Sequence, residues 1–420
     1  MQSTLRRTKL KGWFEYYREI CPVCGKSGGC MINEKGDTVV CIRTESPIVF
    51  SQNFQSWIHR LEEKQTHDLE GMQQSIKTNK KVSSNLLDFV YRALLDCTTL
   101  QSVHHRHLTN EKRKMKDDEI SIRGYRSFPD KPWESVKGIT KQIGYQRFPG
   151  IPGFFENQYG WTLAGFEGIM IPYRNEYNEI VGFQIRVDNP LNDVEINRGT
   201  IEGLKARVKQ PNVVQAFIDG EIIFEKSMEL GQIEDVTLVS QSSDTPSLHG
   251  TVKLVKGQRY FWFSSGNKQN GTGAGDPSPV HVAVPTSQLK SWENGELLKC
   301  ESVWLTEGAL KADISAEHIA NVYKPEELQE TGTTVLAVPG VNTWRTVMPV
   351  LENMGVKHVN IAFDMDVMTN PHVEYYLKEL AIELKNKGYS ANLVIWNEQD
   401  GKGIDDVLIN RRLPQFRKLF

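Results

Sequence analysis

Three carboxylates in the last third of the chain stand where a reaction centre would be built. Glu307 ends the run VWLTE, and Asp364 and Asp366 end VNIAFDMD, each following an apolar stretch. TTVLAVPG and two segments of helical spacing lie between them, so the pattern is β-α-β-α-β and predicts a parallel sheet. Strands of such a sheet point one way, and ligands bind beyond their carboxyl ends. Acids gathered on that rim repel one another, and a divalent cation relieves the repulsion. All-oxygen ligation suits Mg²⁺ or Mn²⁺ better than zinc. After the DMD, NPHVEYYLKELAIELKNKG reads as a helix with Asn370 as its cap, Pro371 in its first turn and Gly388 at its end. YSANLVIW is a fourth strand, and GKGIDDVLI brings Asp405 and Asp406, with Lys402, to the same edge.

A second cluster lies near the amino terminus. Cys21, Cys24, Cys30 and Cys41 occur in CPVCGKSGGC…VVC. A Cys-x-x-Cys pair wraps a turn around one ion, and a second pair across a hairpin completes a tetrahedron. MINEKGDTVVCI supplies that hairpin, with its turn at residues 35–37. Four thiolates leave no open coordination position, so the zinc is expected to be structural. Arg6, Arg7, Lys9, Lys11, Trp13, Phe14, Tyr16, Tyr17 and Arg18 surround the module. Basic and aromatic residues so interleaved either grip phosphates and unpaired bases or pack the module; the sequence leaves both open.

These sites need elements to hold them. A chain of 420 residues predicts two or three domains. With 39% hydrophobic and 24% charged residues and a formal net charge of −2, it is not a polycation, so nucleic-acid contact must rest on local patches. No apolar run approaches a membrane span, and the basic start lacks the apolar stretch of a signal peptide. Six cysteines, four of them crowded together, point to metal ligation in a reducing cytoplasm rather than to disulfides. The expected order is a zinc ribbon over residues 1–50, a helical connector over 51–120, an α+β middle region over 121–298 and an α/β parallel-sheet domain over 299–420. The middle region carries an irregular insertion at about 189–256. Within the connector, residues 62–81 read as a solvated helix, and His104, His105 and His107 as a surface helix end rather than a metal site. Residues 264–279, SSGNKQNGTGAGDPSP, read as an exposed flexible loop.

At these residues the chain resembles a known family. Glu-Gly after one strand, Pro339-Gly340 after the next, Asp-x-Asp after the third and a later acid pair resemble the Toprim domain, a Rossmann-like parallel sheet. DnaG-type primases, type IA and II topoisomerases and some nucleases share it. GIMIPYRNEYNEIVGFQIRV and RYFWFSSGN are similar to the basal polymerase subdomain of primases, and the zinc ribbon completes their order. More closely, the chain resembles primase-like proteins of plasmids and other mobile elements. The resemblance implies primer synthesis from nucleoside triphosphates on single-stranded DNA. Asp364 and Asp366 would hold Mg²⁺ or Mn²⁺, Asp405 or Asp406 would assist through water, and Glu307 would complete the shell or move a proton. Arg186, Arg259, Lys311 and Lys402 would meet phosphates or template. Lys311 stands where the family carries an acid, and four cysteines stand where replicative primases commonly include a histidine. A metal-dependent nuclease and a non-catalytic DNA-binding factor are the rival readings. With no G-x-x-x-x-G-K-[ST] in the chain, a separate replicative helicase is the expected partner.

Overall fold

The computed structural model describes residues 5–8, 10, 12–17, 19–51, 56–62, 64–65, 78–218, 220–238, 248–275, 277–365 and 371–420. The chain forms two units, Met1–Ile76 with Asn189–Arg259, and Lys77–Asp188 with Tyr260–Phe420. Among the described residues, no helix is long and apolar enough to cross a membrane.

In the first unit, six antiparallel strands form one sheet in the order Arg6–Arg7, Trp13–Glu15, Met31–Asn33, Thr38–Cys41, Ser56–Arg60 and Val49–Ser51. The central hairpin turns where expected. Asn33 Oδ1 accepts the amides of Asp37 and Thr38 at 3.0 and 3.1 Å, which closes the turn with a side chain. The sheet continues past residue 50, because Val39, Val40 and Cys41 are buried and their strand would otherwise present a bare edge. Ser56–Arg60 covers that edge, so the start of the expected helical connector is β structure instead. Most of the solvated helix expected over residues 62–81 lies outside the described residues. Thr78, which is described, bridges Gly271 in extended form.

The insertion belongs to this first unit. Its strands make two three-stranded antiparallel sheets, Asn192–Asn197/Leu248–Lys256/Ile233–Leu238 and Lys205–Lys209/Val213–Ile218/Glu221–Ser227. Val194, Ala206, Val214, Val236 and Val252 from both sheets share one core, which makes a small β sandwich. Lys26 of the cysteine loop forms an ion pair with Asp193 of the sandwich.

In the second unit, helix Ser84–Asp96 buries Leu87, Val90, Tyr91 and Leu94 against the strand Ile180–Val187. That strand pairs with Gly168–Arg174 as a hairpin, and Tyr260–Trp262 adds to its edge as one further strand. A helix at Pro132–Ile143 lies early in the α+β middle region. Its signals were present: proline in the first turn, Val136 and Ile139 on one face, and Gly144 at φ +70° as the C-cap. The glycine-rich loop is tied down rather than slack. Ser265 Oγ donates to the Phe154 carbonyl at 2.6 Å and accepts the Thr272 amide at 2.8 Å, and Lys81 Nζ donates to the carbonyls of Ala274 and Pro277.

The carboxyl-terminal sheet runs in the order His281–Ala283, Thr334–Val338, Ser302–Glu307, His358–Ile361, Ser390–Ile395 and Gln415–Lys418. Its four central strands are parallel and both edge strands antiparallel. Alternate residues pack on opposite faces. Val303, Leu305, Leu336 and Val338 enter one core, and Trp304, Val335 and Ala337 the other. Chain order reverses about Ser302–Glu307, since the next strand pairs on one side of it and the following strand on the other. Such a reversal leaves a crevice at the carboxyl ends of the two strands that diverge, and Glu307 and Asp364 follow those two strands.

Candidate functional site

Glu307 is the last residue of its strand; Gly308, at φ +78°, turns the chain into helix Ala309–Val322. One turn along that helix, Lys311 reaches back over the rim and forms an ion pair and hydrogen bond with Asp364. Helix Ile404–Ile409 packs on Ala309–Val322 and brings Asp405 into the same cluster. Burial works against the charge on Lys311, but Asp364, Asp405 and Glu307 outweigh it and raise its pKa. Burial raises the pKa of Asp405, against Lys311 and Arg113, and the neighbouring Asp406 and Asp364 add to the rise. The rim is therefore an acid cluster arranged around one ammonium group.

Asp405 is 3% exposed and accepts a hydrogen bond from Arg113 Nη1 at 2.8 Å. Asp406 accepts the Gly403 amide at 3.4 Å, capping its own helix. Asp366 lies outside the described residues. Lys402 is exposed and, among the described residues, makes no ion pair. Arg259 is exposed at the end of the first unit.

Asp313 is the next acid along the helix after Lys311, yet it does not join the rim. It points into the core, where Arg123 Nη1 and Tyr125 Oη donate to it at 2.6 Å and His281 Nε2 lies 3.1 Å away. Burial alone would raise its pKa, but Arg123 and His281 hold it well below the carboxylate range. This network locks the helix bearing Lys311 onto the edge strand and the middle region. Its role is to position.

Beside the acids lies a basic group that the sequence only half disclosed. Arg186, on strand Ile180–Val187, and Arg113 both act on His107. Burial first, then Arg186 and Arg113, lower the His107 pKa to about 4. His104 is not a surface residue: it is 2% exposed, with Nδ1 2.6 Å from Ser127 Oγ and Nε2 2.8 Å from Asp188. Arg113 was hidden in the charge run EKRKMKDD, which reads as a solvated face. The histidine makes a pH prediction. The unfolded chain takes up a proton near pH 6.5, whereas folded His107 resists it down to about pH 4. The unfolded state therefore binds more protons across that window, and stability is expected to fall as pH drops from about 6.5 to 4. Urea midpoints at stepped pH measure this slope, and His107→Gln should flatten it.

In the first unit the four cysteine sulfurs lie within 4.8 Å of one another, and among the described residues no other such cluster of metal-ligand atoms occurs. Cys30 Sγ is 3.7 Å from the sulfurs of both Cys24 and Cys41. A tetrahedral zinc with Zn–S near 2.3 Å requires sulfur–sulfur edges of about 3.8 Å, so the site fits that ion. Amides of Arg43 and Thr44 donate to Cys41 Sγ at 3.4 and 3.2 Å, and Arg43 Nη1 lies 3.5 Å from Cys30 Sγ. Such donors stabilise thiolates. The aromatic-basic flank is largely spent on packing: Phe14 and Tyr16 are core residues, and Arg6 pairs with Glu15 and covers the Tyr17 ring. Lys9, Lys11 and Arg18 lie outside the described residues.

A family model described as a domain of unknown function (DUF3854) matches residues 298–413, the segment that builds the parallel strands. No curated protein matches the chain. Similar solved structures include the zinc-binding and RNA polymerase domains of the Aquifex aeolicus primase, at 11% identity over 98% of this chain and 81% of that one, with a TM-score of 0.40. The DnaG primase catalytic domain bound to single-stranded DNA aligns at 12% identity over 77% and 75%, with a TM-score of 0.39. The RNA polymerase domain of Mycobacterium tuberculosis primase DnaG, bound to a duplex with a six-nucleotide overhang, aligns at 12% over 79% of each chain, with a TM-score of 0.38.

Proposed function

We propose that the chain is a primase-like nucleotidyltransferase that makes short primers on single-stranded DNA. One observation carries this reading: Glu307, Asp364 and Asp405 surround the Lys311 ammonium beside the strand-order reversal, and Arg113 pairs with Asp405. Acids for a hard cation and arginines for phosphates are the two halves of a triphosphate site. Asp364 and Asp366 would hold Mg²⁺ or Mn²⁺, and Asp405 or Asp406 would assist through water. When bound, the ion supplies positive charge to the reacting phosphate and the departing pyrophosphate. Lys311 supplies the second positive charge at the rim. Arg186 and Arg113 take the outer phosphates, while Lys402 and Arg259 offer exposed charge to the template. Glu307 accepts the proton of the primer 3′-hydroxyl as its oxygen bonds to the α-phosphorus and the bond to pyrophosphate breaks. Priming for a mobile element, beside a separate helicase, rests on the sequence resemblance.

The Lys311–Asp364 pair favours a second reading, in which lysine neutralises the rim outright and the protein binds DNA without catalysis. One assay separates them. Single-stranded DNA, labelled nucleoside triphosphates and Mg²⁺ or Mn²⁺ are incubated with the wild type and with Asp364→Ala. New short products are expected with the wild type, reduced at least about a hundredfold in the variant. Input DNA cut short would mean a nuclease, and retained DNA with no product would leave the non-catalytic reading.

A further inference from the structure

Helix Pro132–Ile143 and the hairpin Phe154–Asn157/Gly160–Leu163 enclose a groove of about 370 Å³ in the second unit. Trp133 and Lys137 line it from the helix, Gln146 from the segment beyond, and Tyr159 and Trp161 from the hairpin. Two of these rings face water. Trp133 is 48% exposed and Tyr159 88%. Neither is left loose by its backbone: Trp133 sits in the helix's first turn, and the Tyr159 amide donates to Asn157 Oδ1 at 2.8 Å, fixing the hairpin tip. Trp161 stands edge-on to Phe148 at 5.7 Å, and Phe148 stacks on Phe154 at 4.8 Å, so that wall is rigid.

The lining says what the groove would take. The charge leans positive. Lys137 lines the groove and Lys141 follows one helical turn later on the same face, while Glu134, one turn earlier, pairs with Lys131. Against them stands Glu156, the cross-strand partner of Trp161. Rings that offer flat faces beside a cation match a flat heterocycle that carries a phosphate.

We propose that this groove holds an unpaired base of single-stranded nucleic acid. The base stacks on the exposed rings, and Lys137 meets the flanking phosphate. Stacking of this kind is sequence-tolerant, because every base has a π face. The site is separate from the acid rim and would hold a strand outside the reacting centre.

The test is fluorescence anisotropy of a labelled 20-nucleotide oligo(dT) titrated with the full chain. The Trp133→Ala/Tyr159→Ala double variant is expected to bind roughly tenfold or more weakly, with an unchanged melting temperature because both rings are exposed. Trp133→Phe/Tyr159→Phe should recover most of the affinity. Lys137→Glu should lower affinity and flatten its dependence on salt. Double-variant binding within twofold of the wild type overturns the proposal. So does displacement of a polyproline peptide, rather than oligo(dT), by the ring substitutions, which would make the groove a peptide site. Failure of the proposed function is separately visible. Synthesis that survives Asp364→Ala refutes that reading and leaves the groove measurement untouched.

Discussion

Chelation of zinc, or Cys41→Ser, is expected to unfold the amino-terminal sheet while the second unit keeps its own melting transition. Cys21, Cys30 and Cys41 are fully buried, and they make up much of the small core around them. The buried apolar side chains beside them are Leu5, Phe14, Tyr16, Ile32 and Val39. A core of that size does not by itself sustain a sheet of six strands. Structural zinc in small modules contributes about 10–16 kcal/mol of apparent binding free energy at neutral pH, and that energy is folding energy. Without the ion, four thiols meet with no charge to bind them, and the amides of Arg43 and Thr44 lose the thiolate they support. Limited proteolysis should then cut within residues 5–65, metal analysis should fall from one zinc per chain to none, and the β signal in circular dichroism should drop. Should the zinc-free protein resist protease as the loaded protein does, the cysteines are ordinary core residues.

Where the sequence spoke clearly, one element carried its own signal. The Cys-x-x-Cys spacing, the Glu-Gly turn after VWLT and the apolar strands of the parallel sheet each needed no distant partner to be read. Lys311 was legible as a residue and not as a role, because its pairing with Asp364 joins positions 53 apart in the chain. Arg113 was hidden for the same reason: a charge run looks solvated until its partner, Asp405, is known to lie 292 positions away. His104 went wrong in the other direction. Its polar neighbours suggested surface, but Ser127 and Asp188 satisfy both ring nitrogens inside the unit. The insertion looked irregular because two short sheets share its core and neither buries a face alone. Long-range pairing decided each of these cases, and local pattern is silent about it.

Replacing Lys311 by Met is expected to turn the rim from a site occupied by a lysine into one that demands a metal. Methionine keeps the length of the stem and removes only the charge. Asp364 then loses its ion pair, Asp405 keeps Arg113 alone, and the two carboxylates repel each other and Glu307 without a cation between them. Breaking a largely buried pair by removing one member costs about 3 kcal/mol or more. The variant should therefore melt lower in chelator. Because the Lys311 pKa is raised on folding, its contribution is complete below the unfolded value near 10.4 and is lost only as pH climbs through the higher folded one. The deficit should thus stay level between pH 7 and 9. Millimolar Mn²⁺ should restore much of the lost stability, since an ion that binds only the folded state stabilises it by mass action. The wild type should gain less, because its ammonium already holds part of the rim's charge. Synthesis would separate the two roles open to this lysine. A variant that regains stability with Mn²⁺ but makes primers about a hundredfold more slowly would show the ammonium acting on phosphate. One that regains both would show it standing in for a cation, and one indifferent to Mn²⁺ would show that these carboxylates never held a metal.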